Sequence, residues 1–388
     1  MYQTTARCLA VVFHLQGSLK TLVVCLPKFR RPMKTRTIII IFGILLFCCI
    51  ATCCISGAAY FYILPNNNIL APATHIPPQT NVEPPANFSP TKTSAGACPN
   101  LMADIVQAAQ GSAYGPDSGD ATSSNTDWHT LVTYQVNGNQ ISDPSYEKIS
   151  QNLKSLQQDA NAQQAAWDLF VELIPPEDRK MVSEYQVFTD GPSNILAAVE
   201  QSPNDPAKWM VEVDEADLQN KKELVFTLIH EYAHLLTLNA DQVPPDVAIF
   251  NDPNNQNLFD QKVAACPTYF PDEGCSKPNS YINTFYNQFW VNILDEWEKI
   301  DALSTANDQN PYYDKLYAFY QAHQDQFVDD YAATNASEDM AETFAFYVLS
   351  PKPTGNSIRD QKILFFYDYP ELVQLRSQIL NNLCTLNP

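Results

Sequence analysis

No aspartate or glutamate occurs before Glu83. Seven of the 23 Lys and Arg residues lie in that stretch: Arg7, Lys20, Lys28, Arg30, Arg31, Lys34 and Arg36. Charge of either sign is then missing from Thr37 to Leu64, a run closed by Pro65. A bilayer is crossed by about 20 apolar residues, so this run is long enough. Its basic flank lies only on the N-terminal side, which places the N-terminus in the cytoplasm and the rest of the chain outside. Residues 1–36 are thus read as a basic cytoplasmic segment and 37–64 as a transmembrane helix. Cys48, Cys49, Cys53 and Cys54 fall inside that span, as membrane-buried thiols rather than ligands. The competing reading is a cleaved signal, after which the protein is secreted; the length of the apolar run favours an anchor. Met33-Lys34-Thr35-Arg36 also resembles the start of a signal sequence, which makes Met33 an alternative initiator to Met1.

Helix-forming pattern is absent from 65–97, which holds seven prolines among Asn and Thr. Such a stretch is extended and semi-rigid, a linker that holds a domain off the membrane. No repeat or further low-complexity tract follows. All 43 acidic residues fall from Glu83 onward, and the whole chain carries a formal charge of −20. That balance argues against nucleic acid and against anionic lipid as partners of the exported part. Ordinary solubility of a secreted protein is sufficient reason for it.

Residues 98–388 are the folded part, long enough for a large core. Cysteines beyond the span on the exported side are few: Cys98, Cys266, Cys275 and Cys384. An even number in an exported domain implies disulfides. Of three connectivities, Cys266–Cys275 and Cys98–Cys384 are favoured, the second tying the ends of the domain together. C-x-x-C pairs are lacking, which argues against a structural zinc on these residues.

The coarse reading is α+β, mostly helical with a small sheet. It places a helix from Asp104 to Gln110, a Gly/Ser/Asp-rich loop over 111–125, and a strand over Thr130–Val136. One long helix is expected from Ser145 to Leu173, stopped by Pro175-Pro176. Strands follow at Val182–Thr189 and Trp209–Val213, then a helix over Asp217–Asn239 with Glu215 or Asp217 near its start. Two aromatic-rich helices, Tyr281–Ile300 and Tyr312–Gln324, are read as core.

Histidine is scarce, with six in 388 residues, and two of them form His230-Glu231-x-x-His234 within the 217–239 helix. Positions i and i+4 lie one above the other on a helix, so both imidazoles can reach one metal ion. Glu231 beside the first ligand can take a proton from water. The bland alternative, two stray histidines on a surface helix, conflicts with the flanks Leu224, Val225, Leu228, Ile229, Leu235, Leu236 and Leu238. These make the helix mostly buried, and buried histidines need partners.

A catalytic zinc takes three protein ligands. No H-E-x-x-H-x-x-G-x-x-H extension is present; Leu235-Leu236-Thr237-Leu238-Asn239 follows His234. A carboxylate from a later helix is the expected third ligand, with His129 and His323 next in line. Glu338 and Glu342, four apart on an apolar helix, can divide the work: one binds metal while the other accepts a proton from a ligating imidazole. Asn335-x-x-Glu338 also fits a capping box, which would make Glu338 structural.

H-E-x-x-H followed by Glu338-x-x-Ala341-Glu342-x-Phe344 resembles the gluzincin zinc peptidases, most closely their lethal-factor-like branch. The resemblance covers about sixteen residues around each motif. It implies a zincin-like fold, one Zn2+ held by His230, His234 and Glu338, Glu231 as general base, and Glu342 supporting a ligand from behind. It implies that Tyr331 stabilises the oxyanion. The gap of roughly a hundred residues between His234 and Glu338 departs from the family pattern and bears on the shape of the cleft. Independently of the family, Glu338 lies nearer the helix N-terminus, where the dipole favours an ionised carboxylate. The expected activity is zinc-dependent hydrolysis of protein or peptide substrates outside the cytoplasm. The alternative is a surface-anchored binding protein that keeps the fold without catalysis, from which a decayed enzyme would be expected to have lost Glu231.

Overall fold

The computed structural model describes residues 7–15, 18–26, 98–110, 128–191, 195–304 and 310–386. The expected transmembrane span at 37–64, the linker at 65–97 and the loop at 111–125 lie outside the described residues. No helix among the described residues is long and apolar enough to cross a membrane. Within the N-terminal unit, β1 (Arg7–Leu15) and β2 (Ser18–Leu26) pair antiparallel.

The second unit, which holds all the described residues from Cys98 onward, is α+β. Its sheet comprises β3 (His129–Asn137), β4 (Gln140–Tyr146), β5 (Val182–Thr189), β6 (Ala197–Ser202) and β7 (Asp205–Asp214) in the order β4-β3-β5-β7-β6. Only β5 and β7 run parallel; the other pairs are antiparallel. Gly138 opens the two-residue β3–β4 loop with φ 65°, the pattern of a turn that needs glycine in its first position. β5 and β7 are central, and Val187, Val211 and Val213 are buried there among the core residues.

Among the described residues the helices of eight residues or more are α1 (Pro99–Gln110), α2 (Ala160–Leu173), α3 (Lys221–Leu238), α4 (Gln256–Ala265), α5 (Tyr281–Phe289), α6 (Leu294–Asp301), α7 (Asn310–Ala322), α8 (Ala336–Leu349), α9 (Ile358–Phe365) and α10 (Pro370–Leu386). α3 is apolar nearly all round, which is the mark of a helix inside a core rather than on its surface. It packs against α8, α1 and the edge strand β6. Asn239 ends it by donating its amide to the Leu235 and Leu236 carbonyls, at 2.8 and 2.9 Å.

Three expectations need correction. The stretch 145–173 is not one helix. β4 continues to Tyr146, short helical turns follow, and α2 begins only at Ala160, where the Asp159 side chain accepts from the Ala162 N–H. The buried Gln157 amide, donating to the Leu131 and Glu147 carbonyls at 2.7 and 2.8 Å, holds the intervening chain against the sheet. The stretch 281–300 is two helices, broken at Trp290, whose indole is drawn aside to donate to Asp339. β6 was not anticipated; it forms a hairpin with β7 around Pro203-Asn204.

Both expected disulfides are present. Cys98 joins Cys384 and Cys266 joins Cys275, each with Cα atoms 5.6 Å apart. The first links the start of the second unit to α10 near its end. The second closes a loop that the Asp246–Glu273 and Gln242–Lys277 backbone bonds pin beside the end of α3, at 2.7 and 2.9 Å.

Candidate metal centre

α3 and α8 cross with their charged residues facing one another. His230 and His234 come from consecutive turns of α3, and Glu338 from the first turn of α8. The Nε2 atoms of the two imidazoles are 3.2 Å apart. Glu338 Oε2 lies 3.1 Å from the first and 3.3 Å from the second. Three lone-pair atoms so close repel one another unless something positive lies among them. In a tetrahedral zinc site, donor atoms about 2.0–2.2 Å from the ion stand about 3.3 Å from each other. The triangle fits that requirement, and it is the one group of this kind among the described residues that can hold a metal ion.

Asn335 caps α8, its side-chain oxygen accepting from the Ser337 and Glu338 N–H groups at 2.9 Å each. The Glu338 carboxylate does not complete a capping box; it turns to the imidazoles. Burial opposes its charge, but His234 and the hydrogen bonds from both imidazoles hold its carboxyl well below the usual range.

One turn deeper, Glu342 Oε2 accepts from His230 Nδ1 at 2.5 Å. That bond fixes the tautomer and leaves the Nε2 lone pair for a metal. Burial disfavours a charged His230, yet Glu338 and Glu342 outweigh it and raise its pKa well above the usual value. The pocket therefore demands positive charge where the three atoms meet.

Glu231 is buried next to this cluster. Burial pushes its carboxyl up, His230 and His234 pull it back, and Glu338 raises it further. Tyr331 lies in a 3-10 turn before α8, its ring 5.7 Å from that of His230 and its hydroxyl bonded to Glu338. Burial and the carboxylates of Glu338, Glu231 and Glu342 hold the phenol well above its usual pKa, so it is a neutral donor. All six residues read from the sequence as site residues are thus assembled in one place. His129 opens β3 and His323 pairs with Glu296 at 3.0 Å; neither belongs to the cluster.

Two neighbours escaped the sequence reading. Asp329 hydrogen-bonds Glu342, and burial with the Glu342 charge raises its pKa well above the usual value. A protonated Asp329 can donate to the Glu342 carboxylate, which also receives His230. Glu273, in the Cys266–Cys275 loop, acts electrostatically on His234. Burial and Asp272 push its carboxyl up to about 7, and its Oε2 is enclosed without a hydrogen-bond partner. Neither has a motif; both arrive from loops that only the tertiary fold brings to α3.

No known protein family, curated protein or solved structure matches this chain.

Proposed function

We propose that this protein is a zinc-dependent peptidase of zincin type, acting outside the cytoplasm from a membrane anchor. The observation that carries the reading is the convergence of His230, His234 and Glu338 at 3.1–3.3 Å, with Glu231 beside it and Glu342 behind. Two histidines and one carboxylate are a donor set used by catalytic zinc, which keeps a position open. When bound, zinc supplies Lewis acidity, polarising a carbonyl and making water more acidic.

The remaining steps belong to the chain's own residues. Glu231, its basicity raised by burial, takes the proton of the attacking water and returns it to the leaving amine. Tyr331, neutral at any physiological pH, donates to the oxyanion as it forms. Glu342 keeps the His230 ring in register. β6 is one of the two outer strands of the sheet and packs beside α3, so an extended peptide can add to it next to the helix that carries His230 and His234. The two disulfides support an oxidising compartment.

The test is metal content and peptide hydrolysis on the purified protein and its Glu231→Gln variant. The variant should keep the metal and lose at least about a hundredfold in turnover, the scale of a general base. Bound metal with no hydrolysis of any peptide in a proteome-derived library would instead favour the surface-anchored binding protein.

A further inference from the structure

A second polar site lies away from the metal cluster, at the end of the sheet where the β3–β4 turn meets the starts of β5 and β7. A cavity of about 300 Å³ there is lined by Arg179, Lys180, Lys208, Ser183 and Gly138, among others, with no carboxylate in its wall. The chain has 43 acidic residues against 23 basic ones, so three cations around one cavity run against its composition.

Arg179 is the informative residue. It is 4% exposed. Its guanidinium donates to the Ile174 carbonyl at 3.1 Å, the Gly138 carbonyl at 2.7 Å and the Asn139 side chain at 2.5 Å. All three acceptors are neutral. Among the described residues no carboxylate forms an ion pair with it, and Glu177 acts on it only through space. A guanidinium has five N–H donors, so two are left over. A buried charge without a counterion is costly, and proteins rarely leave one so. Lys180 and Lys208 stand at the cavity and form no ion pair among the described residues; Lys180 acts on Asp178 only through space, and Lys208 donates to the Lys180 carbonyl at 3.3 Å. The Ser183 hydroxyl is enclosed and makes no hydrogen bond. The wall thus offers three positive charges and an unused hydroxyl donor, and lacks the negative partner.

We propose that this cavity binds a tetrahedral oxyanion, phosphate or sulfate, free or as a monoester, with Arg179, Lys180, Lys208 and Ser183 as its donors. Three cations suit a doubly charged ligand better than a carboxylate, and the volume leaves room for a few atoms beyond the anion. The site is independent of the peptidase reading.

The test is calorimetric titration of the full-length protein with inorganic phosphate, inorganic sulfate, phenyl phosphate and acetate, at matched ionic strength. Phosphate and sulfate should bind saturably and acetate more weakly. Tighter phenyl phosphate than inorganic phosphate assigns the site to an ester; the reverse assigns it to the free ion. Lys180 is exposed and Lys208 half-buried, so the Lys180→Gln/Lys208→Gln double variant should fold. It should lose at least about tenfold in affinity, since charge-assisted bonds are the strong ones. Ser183→Ala should weaken binding by less. Metal content should be unchanged in both. Absence of saturable binding by either oxyanion overturns the proposal, as does unchanged affinity in the folded double variant.

Discussion

His230 Nδ1 and Glu342 Oε2 lie 2.5 Å apart although 112 residues separate them in the chain. The bond joins α3 to α8 and leaves Glu338, one turn earlier, facing the opposite nitrogen of the same ring. The two glutamates therefore have different work, and their substitutions should differ. Glu338→Gln should weaken zinc binding most, because a neutral amide is a poor ligand. Glu342→Gln keeps an acceptor for Nδ1–H and should cost about 10–100-fold in affinity or activity. Chelator competition on each variant measures this. The reverse ranking would make Glu342 the ligand.

Much of this site could be read from the sequence because its parts are local. His230 and His234 share one helix, Glu338 and Glu342 another, and each spacing fixes a face without knowledge of the rest. α3, expected over 217–239, spans 221–238, and β5 has the expected limits. What failed was non-local. The propensity of 145–159 is helical, but Tyr146 is claimed by the β3–β4 pairing and Gln157 by carbonyls of Leu131 and Glu147. β6 is short and broken by polar residues, and only its pairing with β7 makes it a strand. The Pro203-Asn204 turn was the available signal. Asp329 and Glu273 owe their places to packing alone.

The Cys98–Cys384 bridge spans 286 residues. In the chain-entropy model, closing a loop of that length contributes about 5–6 kcal/mol before strain. α1 begins directly after Cys98 and packs on α3, so the bridge also secures a cover over the helix that carries His230 and His234. Cys98→Ala/Cys384→Ala should lower the melting temperature clearly more than Cys266→Ala/Cys275→Ala, whose loop is far shorter. Equal melting temperatures for the two variants would show that the entropic term does not decide.

Glu215 is 7% exposed, and its Oε2 has no hydrogen-bond partner. Burial first, then the charges of Asp159 and Asp214, push its carboxyl up to about 8 from an ordinary 4.5. Since the folded value lies above the unfolded one, the native state holds the proton more tightly. The associated stability is complete below about pH 4.5 and is lost as pH rises through about 8. Denaturant midpoints should therefore fall as pH rises from about 4.5 to about 8 and level off above that. Glu215→Gln should flatten that fall and exceed the wild type at the alkaline end. A variant with the same pH profile as the wild type would locate the titration elsewhere.

Lys362 and Asp339 form an ion pair at 2.6 Å with both side chains fully enclosed. Asp339 follows Glu338 on α8, while Lys362 comes from α9, so the pair ties α9 to the helix that carries Glu338. The Trp290 indole donates to the same carboxylate oxygen at 2.7 Å, and the ammonium stands 4.0 Å from the centre of the Phe327 ring. Burial raises Asp339, with Lys362 opposing; burial lowers Lys362, with Asp339 opposing. Neither charge is tolerable alone. Lys362→Met should thus destabilise by about 3–5 kcal/mol, because Asp339 is left charged in a dry site. Lys362→Met/Asp339→Asn removes both charges and keeps an acceptor for Trp290, so it should recover most of that loss. Double-mutant-cycle denaturation measures the coupling. If the pair also orients α8, the recovered double variant should still bind zinc more weakly than the wild type, since stability returns through neutrality while the ion-pair geometry does not. Full recovery of zinc affinity along with stability would confine the pair to the core.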